Sequence, residues 1–294
     1  MQKIKVLLSF LGLWLTSYLS VEDQTFLGFG LIFSFGILHG ANDLQLINHI
    51  EYKKKRSFLK ILLGYVVLVL LSALLFLSIP IFTLLLFVVV SAYHFGEQNW
   101  QEYLKDYNKT ITGLYQFIYG ILILVALFYF NAPEVEKIIF KIAAITILEH
   151  HFLILLLISL SLYIVISLFI IRQRKDLQKI IVEQTFYIMV LCIIFNVASL
   201  FLGFAIYFIF WHSIPSLNDQ IKFLYGSYSF ANFKRYFKSA FLYWAISLIG
   251  VSIFYTISKD MVIFDALFFS FLASITFPHF IIIIFMYKKE EVKV

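Results

Sequence analysis

Ten stretches of roughly 20 mostly apolar residues follow one another along the chain, the length an α-helix needs to cross a bilayer core. They cover about residues 5 to 20, 26 to 47, 58 to 78, 80 to 97, 111 to 131, 150 to 171, 180 to 197, 198 to 215, 236 to 257 and 262 to 286. Lipid gives a backbone no hydrogen-bonding partner, so continuous apolar runs of this length must satisfy their own amides as helices. The expected fold is all-α: a polytopic membrane helix bundle of about 10 (8–10) transmembrane helices, forming a single integral membrane domain over residues 1–294. Pro80 predicts a break between the third and fourth stretches, and the seventh and eighth divide near Ala198 and Ser199.

Composition agrees and excludes alternatives. Hydrophobic residues make up 62% of the chain and charged ones 14%, against about 45–50% and 25% in soluble domains. With 35 Phe and 18 Tyr, the chain is far too apolar for a solvated coil. The one cysteine, Cys192, excludes an intrachain disulfide and a thiolate zinc site, so any metal must be held by His, carboxylate or carbonyl groups. Neither a phosphate loop, a dinucleotide-binding glycine fingerprint, a G-x-S-x-G elbow nor an HExxH pair occurs.

The basic balance of +6 follows from topology. With ten spans and a cytoplasmic N-terminus, all of the 23 Lys and Arg except Lys137, Lys141 and Lys259 fall in inner loops, including the run Lys53-Lys54-Lys55-Arg56. That is the positive-inside asymmetry, and it needs no nucleic acid. The chain is expected in the cell (inner) membrane, multi-pass, with both termini cytoplasmic. Its first stretch lacks a small-x-small cleavage site near Ser20 and is read as a helix, not a cleaved signal. Residues 133 to 149 place charges and apolar groups at helical spacing, which predicts an interfacial helix on the outer side.

Seven histidines divide into two groups. His49, beside Glu51 and Lys53, and the pair His150 and His151 stand at helix ends, where an imidazole needs no special role. His39, His94, His212 and His279 lie inside apolar runs, in FGILHGAND, VVVSAYHFGEQNW, YFIFWHSIPSL and SITFPHF. All four belong to stretches running from outside to inside, about two to eight residues before the inner end. At about 1.5 Å per residue they fall within roughly 10 Å of one depth. A lone intramembrane histidine is explained by one helix-to-helix hydrogen bond of about 1 kcal/mol. Independent packing gives four of them no reason to share a depth, whereas a common site does.

The neighbours fit such a site. Asp43 follows His39 by four residues, and Glu97 and Gln98 follow His94 by three and four. Carboxylates so placed can bond the second nitrogen of a metal-bound ring across the bundle, or bind the metal themselves. Pro215 predicts the end of the helix carrying His212, and Pro278 a kink at His279. Gly36, Gly40 and Gly96 allow close helix packing or close approach of a substrate. Imidazoles without thiolates suit iron, copper, zinc or nickel better than magnesium or calcium.

At these residues the sequence resembles the Brp/Blh family of membrane β-carotene 15,15'-dioxygenases: HGAND (39 to 43), HFG (94 to 96), WHS (211 to 213) and PHF (278 to 280) stand in family order from about residue 30 to 285. The resemblance implies a non-haem Fe(II) enzyme that cleaves β-carotene centrally with O2 into two retinal molecules, which a microbial rhodopsin could receive. It makes His39, His94 and His212 metal ligands and catalytic residues. Some members carry a second His four residues after the one matching His212; here that place is Ser216, and the reading gives the fourth position to His279. Asp43 and Glu97 then orient the ligands. Two other readings stay open: a proton- or metal-coupled transporter, for which Glu183, Gln184, Asn196 and Asp265 offer a partial polar trail, and a structural membrane protein that holds no metal.

Overall fold

The computed structural model describes residues 2–50, 58–258 and 264–291, and among these every regular element is a helix. In chain order they are α1 (Gln2–Thr16), α2 (Val21–Leu31), a π-helical segment (Ile32–Gly36), α3 (Ile37–Gly40), α4 (Asp43–Ile50), α5 (Phe58–Ser78), α6 (Pro80–Leu104), α7 (Lys109–Phe130), α8 (Ala132–Ala143), α9 (Glu149–Gln173), a 3-10 turn (Lys175–Leu177), α10 (Gln178–Val197), α11 (Leu200–Ile206), a second π-helical segment (Tyr207–Ser213), α12 (Ile214–Tyr225), α13 (Phe230–Ser258) and α14 (Phe264–Glu291). The basic run Lys53–Arg56, Lys259 and Lys293 lie outside the described residues.

Nine helical stretches among the described residues are long and apolar enough to cross a membrane. They match the sequence reading from its second run onward. The first run forms α1, whose apolar part, Ile4–Thr16, would extend only about 20 Å at 1.5 Å per residue, less than a bilayer core. Pro80 opens α6 after a one-residue break at Ile79. The division near residue 198 is also present: Ala198 is extended, and the Ser199 hydroxyl accepts from the Leu202 amide to cap α11. The helix expected over residues 133 to 149 is shorter than the pattern suggests. It stops at Ala143 because Ala144 takes a left-handed conformation, φ 54°, costly for a residue with a Cβ and a firm stop for the helix.

Pro215 does not end a helix. It stands in the first turn of α12, where a missing amide costs nothing, because the preceding turns have already left α-geometry in the segment Tyr207–Ser213. The expectation failed because it assumed an α-helix on the N-terminal side of the proline. Helix α14 continues through Pro278.

The chain forms two compact units, one of residues 1–30 and 88–212, the other of residues 31–87 and 213–294. In the first, α7 is the buried centre against α9 and α10. Trp100, Tyr115, Tyr119 and Tyr163 fill it with edge and stacked contacts. Their polar tips reach other helices: Tyr115 to Ser167 at 2.8 Å, Tyr163 to Thr185 at 2.9 Å, and Tyr119 to Gln184 at 3.3 Å. Such bonds are each worth about 0.6–2 kcal/mol between membrane helices. Helices α6 and α7 cross through a reciprocal pair of small-residue notches. A Cβ on Gly96 would land on the Gln116 carbonyl, and one on Gly120 on the Ala92 carbonyl. Only glycine permits this approach, and it fixes α6 in the turn that carries His94.

In the second unit α14 lies along α4 and α5, burying Leu46, Phe223, Ile282, Ile283 and Met286 together. Lys289 donates its ammonium to the His49 and Ile50 carbonyls, satisfying the C-terminal end of α4. Against α3, a second cluster joins Leu38, Ile221, Tyr236 and Ala240.

Candidate functional site

The four intramembrane histidines are buried: His94 and His212 are 1% exposed, His39 5% and His279 6%. The other three behave as the sequence suggests. His49 rests edge-on against Phe223 at a helix end, while His150 and His151 are exposed.

In the second unit His39 and His279 form a pair, their ring centres 4.7 Å apart and their planes perpendicular at 89°. His39 sits one turn after the π-helical segment Ile32–Gly36. Two carbonyls of this widened segment meet side chains. Ser34 O accepts the Trp244 indole N–H at 2.8 Å, and Gly36 O faces His39 Nδ1 at 2.5 Å. On α14, His279 Nδ1 lies 2.8 Å from Asp43 Oδ1, and the other Asp43 oxygen accepts from the Tyr65 hydroxyl at 3.1 Å. Asp43 thus follows His39 in sequence but serves His279.

In the first unit His94 and His212 form the second pair, also with ring centres 4.7 Å apart, at 74°. His212 lies in the second π-helical segment, and its Nδ1 is 3.0 Å from Gln98 Oε1. Phe95 meets the His212 ring edge-on at 4.7 Å and Phe208 stacks on it at 5.5 Å, a dry apolar collar around the imidazole. Glu97 is buried beside Gln98 on α6.

A carbonyl, a carboxylate or an amide oxygen can only accept. A neutral ring that donates from Nδ1 to such an oxygen presents its lone pair on Nε2, and this is the arrangement that the acceptors beside His39, His212 and His279 favour. That is the tautomer of a metal-binding histidine, whose other nitrogen is almost always donated to such an oxygen. The spacing agrees as well. Two imidazoles bound at right angles to one ion, with metal–nitrogen bonds of about 2.1 Å and ring centres about 1.1 Å further back, would stand about 4.5 Å apart. Either pair fits cis ligation of an N-preferring cation such as iron. No group of three or more His, Cys, Asp or Glu side chains poised around one ion occurs among the described residues; each unit holds one pair of histidines.

A sequence model of the family described as beta-carotene 15,15'-dioxygenase matches residues 30–287, which include all four histidines, Asp43 and Gln98. The chain belongs to the beta-carotene 15,15'-dioxygenase family. No curated protein and no solved structure matches it. Membership in this dioxygenase family, with the all-helical multi-pass fold, makes the chain a membrane-embedded enzyme of the carotenoid dioxygenase type.

Around the histidines, several residues take partners that the sequence did not indicate. Gln98 was visible four residues after His94, yet it serves His212. Tyr65, which braces Asp43, gave no signal. Ser216 accepts from Gln220 at 3.3 Å, and Gln220 Oε1 in turn accepts from the Tyr236 hydroxyl at 2.6 Å, which also lies 3.2 Å from the His39 carbonyl. Ser216 is therefore the end of a polar chain reaching the His39 backbone. The trail that suggested a transporter is taken up locally. Gln184 accepts from Asn99 at 3.1 Å and from Tyr119, Glu183 accepts from Tyr187, and Asn196 is exposed. The Asp265 side chain lies outside the described part.

Proposed function

We propose that the chain is a Brp/Blh-type β-carotene 15,15'-dioxygenase in which His39, His94, His212 and His279 hold one Fe(II), and that it splits the central double bond of β-carotene into two retinal molecules. The observation that carries the reading is the anchoring of three of the four buried rings through Nδ1 onto oxygen acceptors, which turns Nε2 into the ligating atom. The reaction balances without a further reductant: both atoms of O2 enter product, one in each aldehyde, as the carbon–carbon double bond is lost. Bound Fe(II) supplies the open coordination and the electron exchange that dioxygen needs to react with a closed-shell alkene.

The chain's own residues supply the rest. Asp43, Gln98 and the Gly36 carbonyl hold the ring orientations, so that little reorganisation accompanies ligation. Glu97 belongs to the same supporting group. Phe95 and Phe208 keep water from the His212 ring, and a long apolar substrate enters from the bilayer rather than from water. The same proposal places the C-terminal end on the cytoplasmic side of the cell membrane, on the strength of Lys288 and Lys289; both termini share that side only if α1 crosses as a tenth span beside the nine longer ones. A microbial rhodopsin is then a natural recipient of the product.

Co-expression with β-carotene synthesis is the direct test. Orange cells should lose colour as retinal accumulates, and a His39→Ala variant should leave them orange. Unchanged colour with the intact protein, or full retinal output from the variant, contradicts the reading.

A further inference from the structure

Helix α1 lies outside the family-matched residues 30–287, yet within the first unit it is bonded to the segment that carries His212. Three contacts set its register. Midway along it, Ser9 is buried and its hydroxyl accepts the Trp211 indole N–H at 2.8 Å, while the Lys5 ammonium stands 5.6 Å from the centre of the same indole. Next, Gly12 meets Ile206, so closely that a Cβ would press on the Ile206 side chain. At its end, the Thr16 carbonyl accepts from Gln24, whose Oε1 in turn accepts from the Ser199 amide at 2.8 Å. Positions 9, 12 and 16 of α1 thus pair in reverse order with 211, 206 and 199. Through these contacts α1 runs antiparallel to α11 and the π-helical segment, while its main packing is against α10.

A π-helical segment is rarely stable by itself and needs outside contacts to hold its wider turn. Trp211 is the residue immediately before His212 and is buried, with Tyr187 packed on its other side at 4.9 Å. Its N–H has to find an acceptor, and Ser9 provides it.

We infer that α1 is a splint for the His212 segment, and that Ser9 is a positioning residue which sets the direction of the His212 ring through Trp211. The inference rests on the proposed role of His212, but its geometric content does not depend on iron. The bond from Ser9 holds the indole, the indole holds the turn at 207–213, and the turn aims the imidazole at its partner Gln98.

The test uses the full-length protein in detergent and maps diethyl pyrocarbonate modification of individual histidines by mass spectrometry. Ser9→Ala should raise modification of His212 about tenfold, with His39 and His279 unchanged as internal references, and Ser9→Thr should stay near the wild-type rate. Trp211→Phe, which removes the donor, should act in the same direction, and Ser9→Ala should add little on top of it. In protein loaded with Fe(II), Ser9→Ala should also release iron to a chelator about tenfold more readily. An unchanged His212 rate in both single variants, or an equal rise at all buried histidines, overturns the inference. If the intact protein takes up no iron, the dioxygenase reading fails, while the modification pattern still decides the splint.

Discussion

Asp43 joins two helices through its two oxygens: Oδ1 receives His279 Nδ1 at 2.8 Å and Oδ2 receives the Tyr65 hydroxyl at 3.1 Å. The carboxylate is buried, so its charge is supportable only while both donors are in place. It fixes the His279 tautomer from one side and is itself fixed from the other.

Removing this brace should loosen the metal more than the fold. Asp43→Ala is expected to weaken Fe(II) retention by about 10–100-fold, and Tyr65→Phe by less, because one oxygen of Asp43 would still hold the ring. Chelator competition on the purified protein measures both. Equal retention in wild type and Asp43→Ala would falsify the role.

Gln98 should be exchangeable for another acceptor. Gln98→Glu keeps an oxygen opposite His212 Nδ1 and should retain most activity, whereas Gln98→Ala should lose about tenfold in iron affinity. Retinal formation and metal content, compared across the two variants, check the order. The reverse order would mean that Gln98 acts by some route other than the hydrogen bond.

The glycines near the histidines should separate sharply. Gly96→Ala puts a methyl group on the Gln116 carbonyl where α6 and α7 cross, and should cost about 1–3 kcal/mol of stability or abolish folding. Gly40→Ala places its Cβ 3.7 Å from His279 Nδ1, an ordinary contact, and should be tolerated. Thermal unfolding in detergent distinguishes them.

Two tryptophans, the buried Trp100 and the half-buried Trp244, should also differ. The Trp100 indole N–H is buried without an acceptor among the described residues, whereas that of Trp244 is bonded to Ser34 O. Trp100→Phe therefore gives up no hydrogen bond and relieves a desolvated donor, which offsets part of its lost packing. Trp244→Phe removes the donor bonded to the Ser34 carbonyl in the first π-helical segment. The melting temperature should fall further for Trp244→Phe than loss of ring area alone explains.

Most of the fold was legible because a bilayer leaves few choices. Once a run of about 20 apolar residues exists, helix is the only solution that satisfies its backbone, and Pro80 and Ser199 mark ends by ordinary proline and capping chemistry. The histidines were legible for a related reason: an imidazole in an apolar run is expensive enough to be conspicuous. What stayed hidden depends on geometry that spacing does not encode. Pro215 was misread because the widening of residues 207–213 has no pattern in the sequence. Asp43 stands four residues from His39, yet the α3–α4 junction turns it to His279. Gln98 likewise crosses from the helix of His94 to His212. Tyr65 and Ser9 could not be singled out from sequence, since a tyrosine or a serine in a membrane helix is commonplace.

The central claim is that the four buried imidazoles hold one Fe(II). Metal analysis of detergent-purified protein after Fe(II) loading and desalting, run beside the His39→Ala, His94→Ala, His212→Ala and His279→Ala variants, tests it most directly. One iron per chain in the intact protein, and a large loss in every variant, is the expected result. An intact protein without iron, or a His279→Ala variant that keeps its full complement, would contradict the account.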